Sequence, residues 1–385
     1  MVSIVPRMID LSVLILCTCL GIASCGGQPG PVTPAEPGVD VDALPGIVTD
    51  EVLLGLSPSD LLWGFAGKDV SSRDFRQVSL PLLSTMTYCS NTQWRSDWLP
   101  HGFAPEDWLE RATNPGLGIR DLHETLITGR GVNVAVIDKP ILKTHREFEG
   151  RFLYREVAAG EHGSSLHFHG MACASVLGGR TTGVAPGAFI HYYAVPDRGD
   201  NFRYYIEALR EINQHNRDSN IEDAIRIVSI SDGLPHDSPH RAEWETLVLE
   251  ARESGMLVLY SNLAGEAFAW GGAPPYLSVD DMNNHEPSGY FTNLDMIADR
   301  IVVPGDYRTT AGNYDERHYI YWGRGGFSWA IPYLAGTVAL GLQVRPEMDP
   351  WELFEILSSG AHLNDSNYRI LDPAGFIGEL SGLDG

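Results

Sequence analysis

The sequence is short of positive charge. Its 385 residues contain 27 Lys and Arg against 50 Asp and Glu, which gives a formal net charge of −23. Nucleic acids and anionic membrane surfaces are bound through clustered lysine and arginine, so the composition argues against both kinds of partner. The hydrophobic share of 43% is that of an ordinary globular chain, and the length allows one large domain or two smaller ones.

Cysteine is also scarce, with five in the chain. Cys17 and Cys19 lie in an apolar N-terminal leader, and Cys25 follows it directly. Only Cys89 and Cys173 remain, and two cysteines do not make a disulfide framework. The small, apolar neighbours of Cys173 favour a buried thiol over a bridge to Cys89.

The leader itself has the pattern of an export signal. The apolar run 11–22 is shorter than the roughly 20 residues that span a membrane, and small residues follow it. Residues 22–25, Ile-Ala-Ser-Cys, resemble a bacterial lipobox, which implies cleavage before Cys25 and lipidation of its sulfur. We therefore expect a signal peptide over 1–24 and a lipoprotein of the bacterial cell envelope, anchored outside the cytoplasm. An ordinary signal peptide or an uncleaved anchor is the alternative.

Composition divides the rest of the chain. Residues 25–45 are rich in proline and glycine, which is typical of a flexible tether. Residues 46–113 are predicted to form an N-terminal extension, either a prosegment that is later removed or a permanent part of the protein. Residues 114–385 are predicted to form the main domain. The oligomeric state is left open.

The main domain alternates short β-branched runs with helical patterns. Strands are predicted over 132–138, 189–195, 225–230 and 256–260, and helices over 171–177, 201–213 and 241–254. This alternation predicts an α/β fold with a mostly parallel sheet covered on both faces. Ligands bind at the carboxyl ends of such strands, where Asp138 and Asn262 are expected to lie.

Three separate segments carry a specific resemblance. They are 129–138 (Gly-Arg-Gly-Val-Asn-Val-Ala-Val-Ile-Asp), 169–172 (His-Gly-Met-Ala) and 326–332 (Gly-Phe-Ser-Trp-Ala-Ile-Pro). Together they resemble the subtilisin-like serine peptidases, whose catalytic residues follow the order Asp, His, Ser. Further similar segments, in the family's order, are 229–233, 257–262, 302–305 and 346–361. The resemblance spans residues 114–362, about two thirds of the chain.

The resemblance implies a subtilisin-like three-layer fold and a role for each matching residue. Ser328 would be the nucleophile, His169 the general base and acid, and Asp138 the carboxylate that orients His169. Asn262 would donate its amide to the oxyanion. Binding of the substrate would fall to a strand end made of Ser231, Asp232 and Gly233. The chemistry is consistent, because a serine hydroxyl needs an adjacent imidazole to take its proton.

Several positions depart from the family pattern. Phe327 and Trp329 flank the serine where smaller residues are usual, and Lys139 follows Asp138 where a small hydroxyl residue is common. Ser261 stands where glycine is usual, and Ala172 where a second histidine is typical. None of these changes removes a catalytic group, although they can weaken or retune an enzyme.

The implied chemistry needs no cofactor and no catalytic metal. A zinc site at His162, His167 and His169 is the alternative, because His-x-His on a strand places both rings on one face. The motif H-E-x-x-H is lacking, however, as is the G-x-S-x-G of α/β-hydrolases. Structural calcium, for example at the acidic loop 197–200, is left unassigned.

The sequence therefore predicts a serine endopeptidase acting on peptides or proteins. The rival hypothesis is a catalytically silent protein that keeps the fold and binds peptides by strand addition. Asp232 lies where the family lines its substrate cleft, so a basic substrate side chain is one expectation. Exposure of Asp232 to solvent, or pairing with a nearby arginine, is the other.

Overall fold

The computed structural model describes residues 38–162, 166–197 and 202–382. The predicted signal peptide, Cys25 and most of the predicted tether lie outside the described residues, so the expectations for them stay predictions. The helices are α1 Asp50–Leu54, α2 Pro58–Trp63, α3 Leu80–Ser84, α4 Pro105–Arg111, α5 Ile119–Glu124, α6 Phe168–Gly178, α7 Arg203–Asp218, α8 Arg241–Glu253, α9 Ser261–Ala267, α10 Phe327–Val344, α11 Pro350–Ser359 and α12 Pro373–Gly382.

The strands are β1 Ile47–Thr49, β2 Asp74–Gln77, β3 Tyr88–Cys89, β4 Asn133–Asp138, β5 Phe152–Glu156, β6 Phe189–Ala194, β7 Ile225–Ile230, β8 Leu257–Tyr260, β9 Phe268–Gly272, β10 Glu286–Pro287, β11 Ile301–Pro304, β12 Arg308–Ala311, β13 Tyr319–Trp322, β14 His362–Leu363 and β15 Arg369–Ile370. The strands and helices predicted for the main domain are confirmed, with bounds that differ by a few residues.

The main sheet has five parallel strands in the order β5-β6-β4-β7-β8. The central strand β4 buries both faces, because successive side chains of a strand point to opposite sides. Val134 and Val136 join the core cluster that contains α6 and α10. Ala135 and Ile137 join the cluster that contains α7 and α8. The result is the predicted three-layer α/β fold.

Two further sheets contain strands of the main domain, one with five strands and one with three. One has the order β10-β9-β11-β15-β14, and the other has the order β12-β13-β3. Within the described part of the chain, one helix, α10, is long and apolar enough to cross a membrane by length and composition. Because 78% of it is buried inside the protein, α10 is packed as a core helix.

The N-terminal extension folds against the main domain. Its core brings together Val48, Leu53, Phe65, Phe75 and Tyr88 with Tyr321 of β13. Packing begins at Val39, which is 1% exposed, so part of the predicted tether belongs to the folded extension. Residues 51–63 form α1 and α2 rather than one helix, because Ser57 caps a new helix that starts at Pro58.

Both remaining cysteines, Cys89 and Cys173, are buried, and no disulfide joins them. The favoured expectation of a buried structural thiol at Cys173 is thus confirmed, and the alternative of a bridge is wrong in this structure.

Candidate active site

Asp138 and His169 meet at the carboxyl end of β4. Asp138 is the last residue of the strand and is 2% exposed. Nδ1 of His169 lies 2.9 Å from each carboxylate oxygen of Asp138. The backbone N–H of Lys139 also donates to Asp138, at 2.7 Å. The carboxylate therefore fixes the ring tautomer, with the proton on Nδ1 and with Nε2 left to accept one.

The pair shifts the pKa of both members. Burial alone would raise the pKa of Asp138, but the charge and hydrogen bond of His169 outweigh it, and the pKa falls below its ordinary value. Burial alone would lower the pKa of His169, but Asp138 outweighs it in turn, and the pKa is raised. The arrangement thus stabilises a protonated imidazole, which is what a general base becomes when it accepts a proton.

His169 lies in the first turn of α6, which starts at Phe168. The ring of His167 caps this helix, since its Nδ1 accepts the N–H of His169 at 3.2 Å. Gly170 is required next, because a Cβ there would lie 2.1 Å from the hydroxyl of Tyr192. This close packing of α6 on the sheet brings His169 to the end of β4.

The zinc alternative does not match this geometry. His167 and His169 lie at a helix start rather than on a strand, and His162 pairs instead with the carbonyl of Val157. Burial, together with the charge of His169, lowers the pKa of His167 to about 4. Within the described residues, one trio of potential metal-binding groups lies together, namely Asp138, His169 and Cys173, and its first two members already bond to each other. Most of the acidic loop 197–200 lies outside the described residues, so calcium stays unassigned.

Ser328 is the second residue of α10, directly after the N-cap Gly326 and Phe327. Gly326 has φ of 104°, a backbone conformation that favours glycine. At the start of a helix the backbone N–H groups lack helical partners and the dipole is positive, so the N–H of Ser328 can receive a negative charge.

Contacts around the backbone of Ser328 place it beside His169. Its carbonyl oxygen lies 3.6 Å from Sγ of Cys173, and that sulfur lies 3.7 Å from Nδ1 of His169. The ring of Trp329 packs on the ring of His169 with centroids 5.4 Å apart. Among the described residues, the hydroxyl of Ser328 forms no hydrogen bond with His169. Such bonds are often long without substrate and tighten when it binds.

Ser231, which directly follows β7, supports this segment. Its hydroxyl donates to the carbonyl of Ser328 at 2.8 Å, and the residue is 8% exposed. The sequence expectation gave Ser231 to substrate binding, whereas the structure directs its side chain to Ser328. The backbone of Ser231, Asp232 and Gly233 still follows the end of β7, so strand addition of a peptide there remains a prediction.

Asn262 lies at the start of α9, whose Gly265 is close to Phe327. Its Oδ1 accepts the N–H of Leu234 at 2.8 Å, and its Nδ2 donates to the carbonyl of Leu234 at 3.3 Å. The amide nitrogen has two hydrogens, and the second has no partner among the described residues. Asn262 is therefore held in place by one backbone unit and keeps one N–H for another acceptor.

Asp232 is half-buried beside a small polar network. Its Oδ1 accepts the N–H of Gly233 at 2.8 Å, and its carboxylate interacts with the hydroxyl of Tyr205. Nζ of Lys139 donates to the same hydroxyl at 3.2 Å. The nearby cation is thus Lys139, one tyrosine away, rather than an arginine, and the carboxylate also contributes to the raised pKa of His169.

A second buried carboxylate, which the sequence analysis missed, lies under the residues that precede Ser328. Asp306 is 4% exposed and accepts the N–H of Gly325 at 3.0 Å. Burial raises its pKa, against hydrogen bonds from Ser288, Gly325 and Gly326. Gly325 is required at this contact, because a Cβ there would lie 1.9 Å from the carbonyl oxygen of Gly305. Asp306 follows the Pro-Gly turn at 304–305, and that motif was the available signal.

Comparison with known proteins gives consistent relatives. Residues 129–372 match the model of the subtilase family. The chain is 26% identical over 266 residues to the extracellular serine proteinase of Thermus sp. (strain Rt41A), an alignment that covers 66% of this chain and 61% of the relative. It is 24% identical over 238 residues to the cuticle-degrading protease of Metarhizium anisopliae, covering 61% and 60%. The chain thus spans about 60% of the length of these curated relatives.

Solved structures support the fold. The prenylagaramide maturation protease PagA has a TM-score of 0.50 at 20% identity, covering 69% of this chain and 99% of PagA. Fervidolysin from Fervidobacterium pennivorans, a keratinolytic enzyme related to subtilisin, has a TM-score of 0.51 at 17% identity, covering 70% and 45%. The family match covers more than half of the sequence, over the segments that build the sheet, α6 and α10. The chain therefore belongs to the subtilase family.

Proposed function

We propose that the protein is a serine endopeptidase that cleaves peptide bonds through an acyl-enzyme. The observation that carries the proposal is the bond of 2.9 Å between His169 and a buried Asp138, next to a serine at the start of a helix. Membership of the subtilase family and the names of the two curated relatives support the same activity.

In the proposed reaction, Oγ of Ser328 attacks the carbonyl carbon of the peptide bond and gives its proton to Nε2 of His169. Asp138 stabilises the imidazolium that forms. The oxyanion accepts hydrogen bonds from the backbone N–H of Ser328 and from the free Nδ2 hydrogen of Asn262. His169 then protonates the leaving amine, and a water molecule, deprotonated by His169, hydrolyses the ester on Ser328 and restores the serine.

A fluorophosphonate probe tests the proposal directly, because it forms a covalent adduct only with an activated serine. We expect stoichiometric labelling of the purified protein at Ser328 and none of the Ser328→Ala variant. A folded protein that is not labelled, or that is labelled equally after Ser328→Ala, would contradict the proposal. The second result would place the reactive serine elsewhere, and the first would leave the peptide-binding rival in place.

Asp232 bears on the class of substrate. Its carboxylate lies between the strand end after β7 and Tyr205, so we propose that it favours a basic side chain near the scissile bond. Lys139, which shares Tyr205 with it, opposes this preference. Cleavage of a peptide library by the wild type and by Asp232→Asn separates the two effects. An unchanged profile would show that Asp232 acts only within the network.

We also propose that the enzyme works outside the cytoplasm, anchored by a lipid on Cys25. The leader pattern at 11–25 and the extracellular relative from Thermus support this location. Metabolic labelling with radioactive palmitate in a bacterial host should mark the wild type and not Cys25→Ala. Export of an unlabelled wild type would instead indicate an ordinary signal peptide.

A further inference from the structure

The N-terminal extension reaches the segments that carry His169 and Ser328. Trp63, the last residue of α2, packs edge-on against Phe168 with centroids 4.7 Å apart. It also packs on Trp322, the last residue of β13, at 5.7 Å. Phe168 precedes His169 in α6, and Trp322 ends the strand that leads to Ser328. One side chain of the extension thus contacts both segments.

The contacts continue inward through further aromatic rings, which are tilted relative to one another. Trp322 packs on Trp329 at 5.5 Å, and Trp329 packs on His169 at 5.4 Å. The rings of Phe168 and Trp322 also pack on each other, with centroids 5.3 Å apart. Trp322 and Trp329 are each 2% exposed, so these rings have little room to move. Protein interiors are close-packed, and a gap left at one ring is felt by its neighbours.

The backbone of the extension joins the same region. Strand β3 pairs with β13, with Tyr88 opposite Tyr321 and Cys89 opposite Ile320. At Gly323 the chain passes so close to Thr85 that a Cβ would lie 2.2 Å from the carbonyl carbon of Thr85. The extension also supplies Ala66 and Cys89 to the largest core cluster of the main domain.

Trp63 itself is held firmly. Gly64, with φ of 50°, turns the chain after α2, and the N–H of Phe65 bonds to the carbonyl of Thr87 at 2.7 Å. A side chain at Gly64 would lie 2.3 Å from that carbonyl oxygen. The turn that follows Trp63 is therefore held by a hydrogen bond and close packing against Thr87, the residue before β3.

From these contacts we infer that the extension is a permanent part of the active enzyme and that Trp63 is a positioning residue for His169 and Ser328. The inference rests on the proposed function, since it assigns a part in that same site. Removal of residues 38–113 would leave one edge of β13 unpaired and expose the face of Trp322 that Trp63 covers.

The first test uses the fluorophosphonate adduct. Intact-mass measurement and terminal sequencing of the labelled protein should give a chain that retains residues 38–113. A labelled, fully active chain that begins after residue 113 would overturn the inference. This result is distinct from failure of the proposed function, in which the intact wild type takes up no label.

The second test compares three variants of α2. Trp63→Ala should lower kcat about tenfold with a smaller change in KM, because slight misplacement of reacting groups costs rate before binding. Trp63→Phe, which keeps an aromatic ring, should restore most of the rate. Leu62→Ala is the control, since Leu62 is its neighbour and is 43% exposed. Each rate is divided by the concentration of active sites, measured by fluorophosphonate labelling. A variant that merely yields less folded protein therefore shows no loss of kcat.

The titration of His169 gives a readout that does not need activity. In Ser328→Ala protein with labelled histidine, NMR should show that Trp63→Ala moves the pKa of His169 toward its ordinary value. Unchanged kcat in folded Trp63→Ala, together with an unchanged titration, would show that Trp63 only stabilises the fold and would overturn its positioning role.

Discussion

The hydroxyl of Ser231 donates a hydrogen bond of 2.8 Å to the carbonyl oxygen of Ser328. In a regular helix that carbonyl would accept the N–H of the residue four positions later. That residue is Pro332, which has no N–H, and it lies inside α10. Ser231, which directly follows β7, therefore supplies the donor that the helix lacks, and it fixes the backbone of the proposed nucleophile.

Ser231→Ala should consequently affect both stability and rate. Loss of the donor leaves the carbonyl of Ser328 with only the weak contact of Cys173, and the expected cost is about 1–3 kcal/mol in the free energy of unfolding. Labelling of Ser328 by a fluorophosphonate should slow as well, because its backbone is less constrained. Denaturant unfolding and labelling rates measure the two effects.

Ser229 offers a matched control for that variant. It lies two residues earlier, on β7, and is 1% exposed, and its hydroxyl has no hydrogen-bond partner among the described residues. Ser229→Ala should therefore be neutral or slightly stabilising and leave the labelling rate unchanged. Equal effects of the two substitutions would show that the bond of Ser231 to Ser328 contributes nothing specific.

The pair of Asp138 and His169 predicts the pH dependence of the activity. His169 must be neutral to accept a proton, and its pKa is raised above the ordinary 6.5. The value of kcat/KM should therefore be low at acid pH, where His169 is protonated. It should rise as pH passes an apparent pKa above 6.5. A profile of kcat/KM from pH 5 to 9 measures it.

Asp138→Asn removes the charge that raises the pKa of His169. We expect the acid limb to move to lower pH and kcat to fall by about 10⁴, the loss typical when this carboxylate is neutralised in a serine protease. A variant with wild-type kcat, or with an acid limb that does not move, would show that Asp138 does not act on His169.

Two substitutions of Asp306 should change the free energy of unfolding in different ways. Burial raises its pKa, so its contribution to stability is fully present below the unfolded value of about 3.8 and is lost as pH rises through the folded pKa. Asp306→Asn cannot ionise and still offers an oxygen to Gly325. Its free energy of unfolding relative to the wild type should therefore increase as pH rises.

Asp306→Ala, by contrast, leaves the N–H of Gly325 without its acceptor and opens a cavity beneath the residues that precede Ser328. It should lower stability at every pH and slow labelling of Ser328. Urea unfolding of both variants at pH 4 and pH 8 distinguishes the cases. If the stability of Asp306→Asn relative to the wild type were the same at pH 4 and pH 8, ionisation of the buried Asp306 would not destabilise the wild type.

The sequence was informative where chemistry and local pattern coincide. Asp138 ends a β-branched run, and Gly325 and Gly326 precede Ser328, so the end of the strand and the turn before the helix could be predicted. The order of Asp138, His169 and Ser328 can also be read from the sequence, while their catalytic roles are proposed. The partners of those residues were not. The roles of Ser231, Asp306 and Trp63 depend on contacts with residues far away in the chain, which no local pattern encodes. Pro332 lies inside α10, and because it has no N–H, the carbonyl of Ser328 depends on a donor from outside the helix.

Asn262 provides the sharpest test of the proposed oxyanion site. Its Oδ1 and one Nδ2 hydrogen pair with Leu234, and the other hydrogen has no partner among the described residues. Asn262→Ala should lower kcat by about 10²–10³ with little change in KM, the usual cost of removing one oxyanion donor in a subtilisin-type enzyme. It should also lower stability, because the N–H and carbonyl of Leu234 lose their partner.

Asn262→Asp separates these two roles. The aspartate keeps an oxygen for the N–H of Leu234 but has no N–H to donate, and it places a negative charge where the oxyanion forms. We expect a loss of kcat at least as large as that of Asn262→Ala, with a smaller loss of thermal stability. If Asn262→Asp kept its rate while Asn262→Ala lost it, the side chain would act by holding Leu234, and the oxyanion would depend on the N–H of Ser328 and other donors.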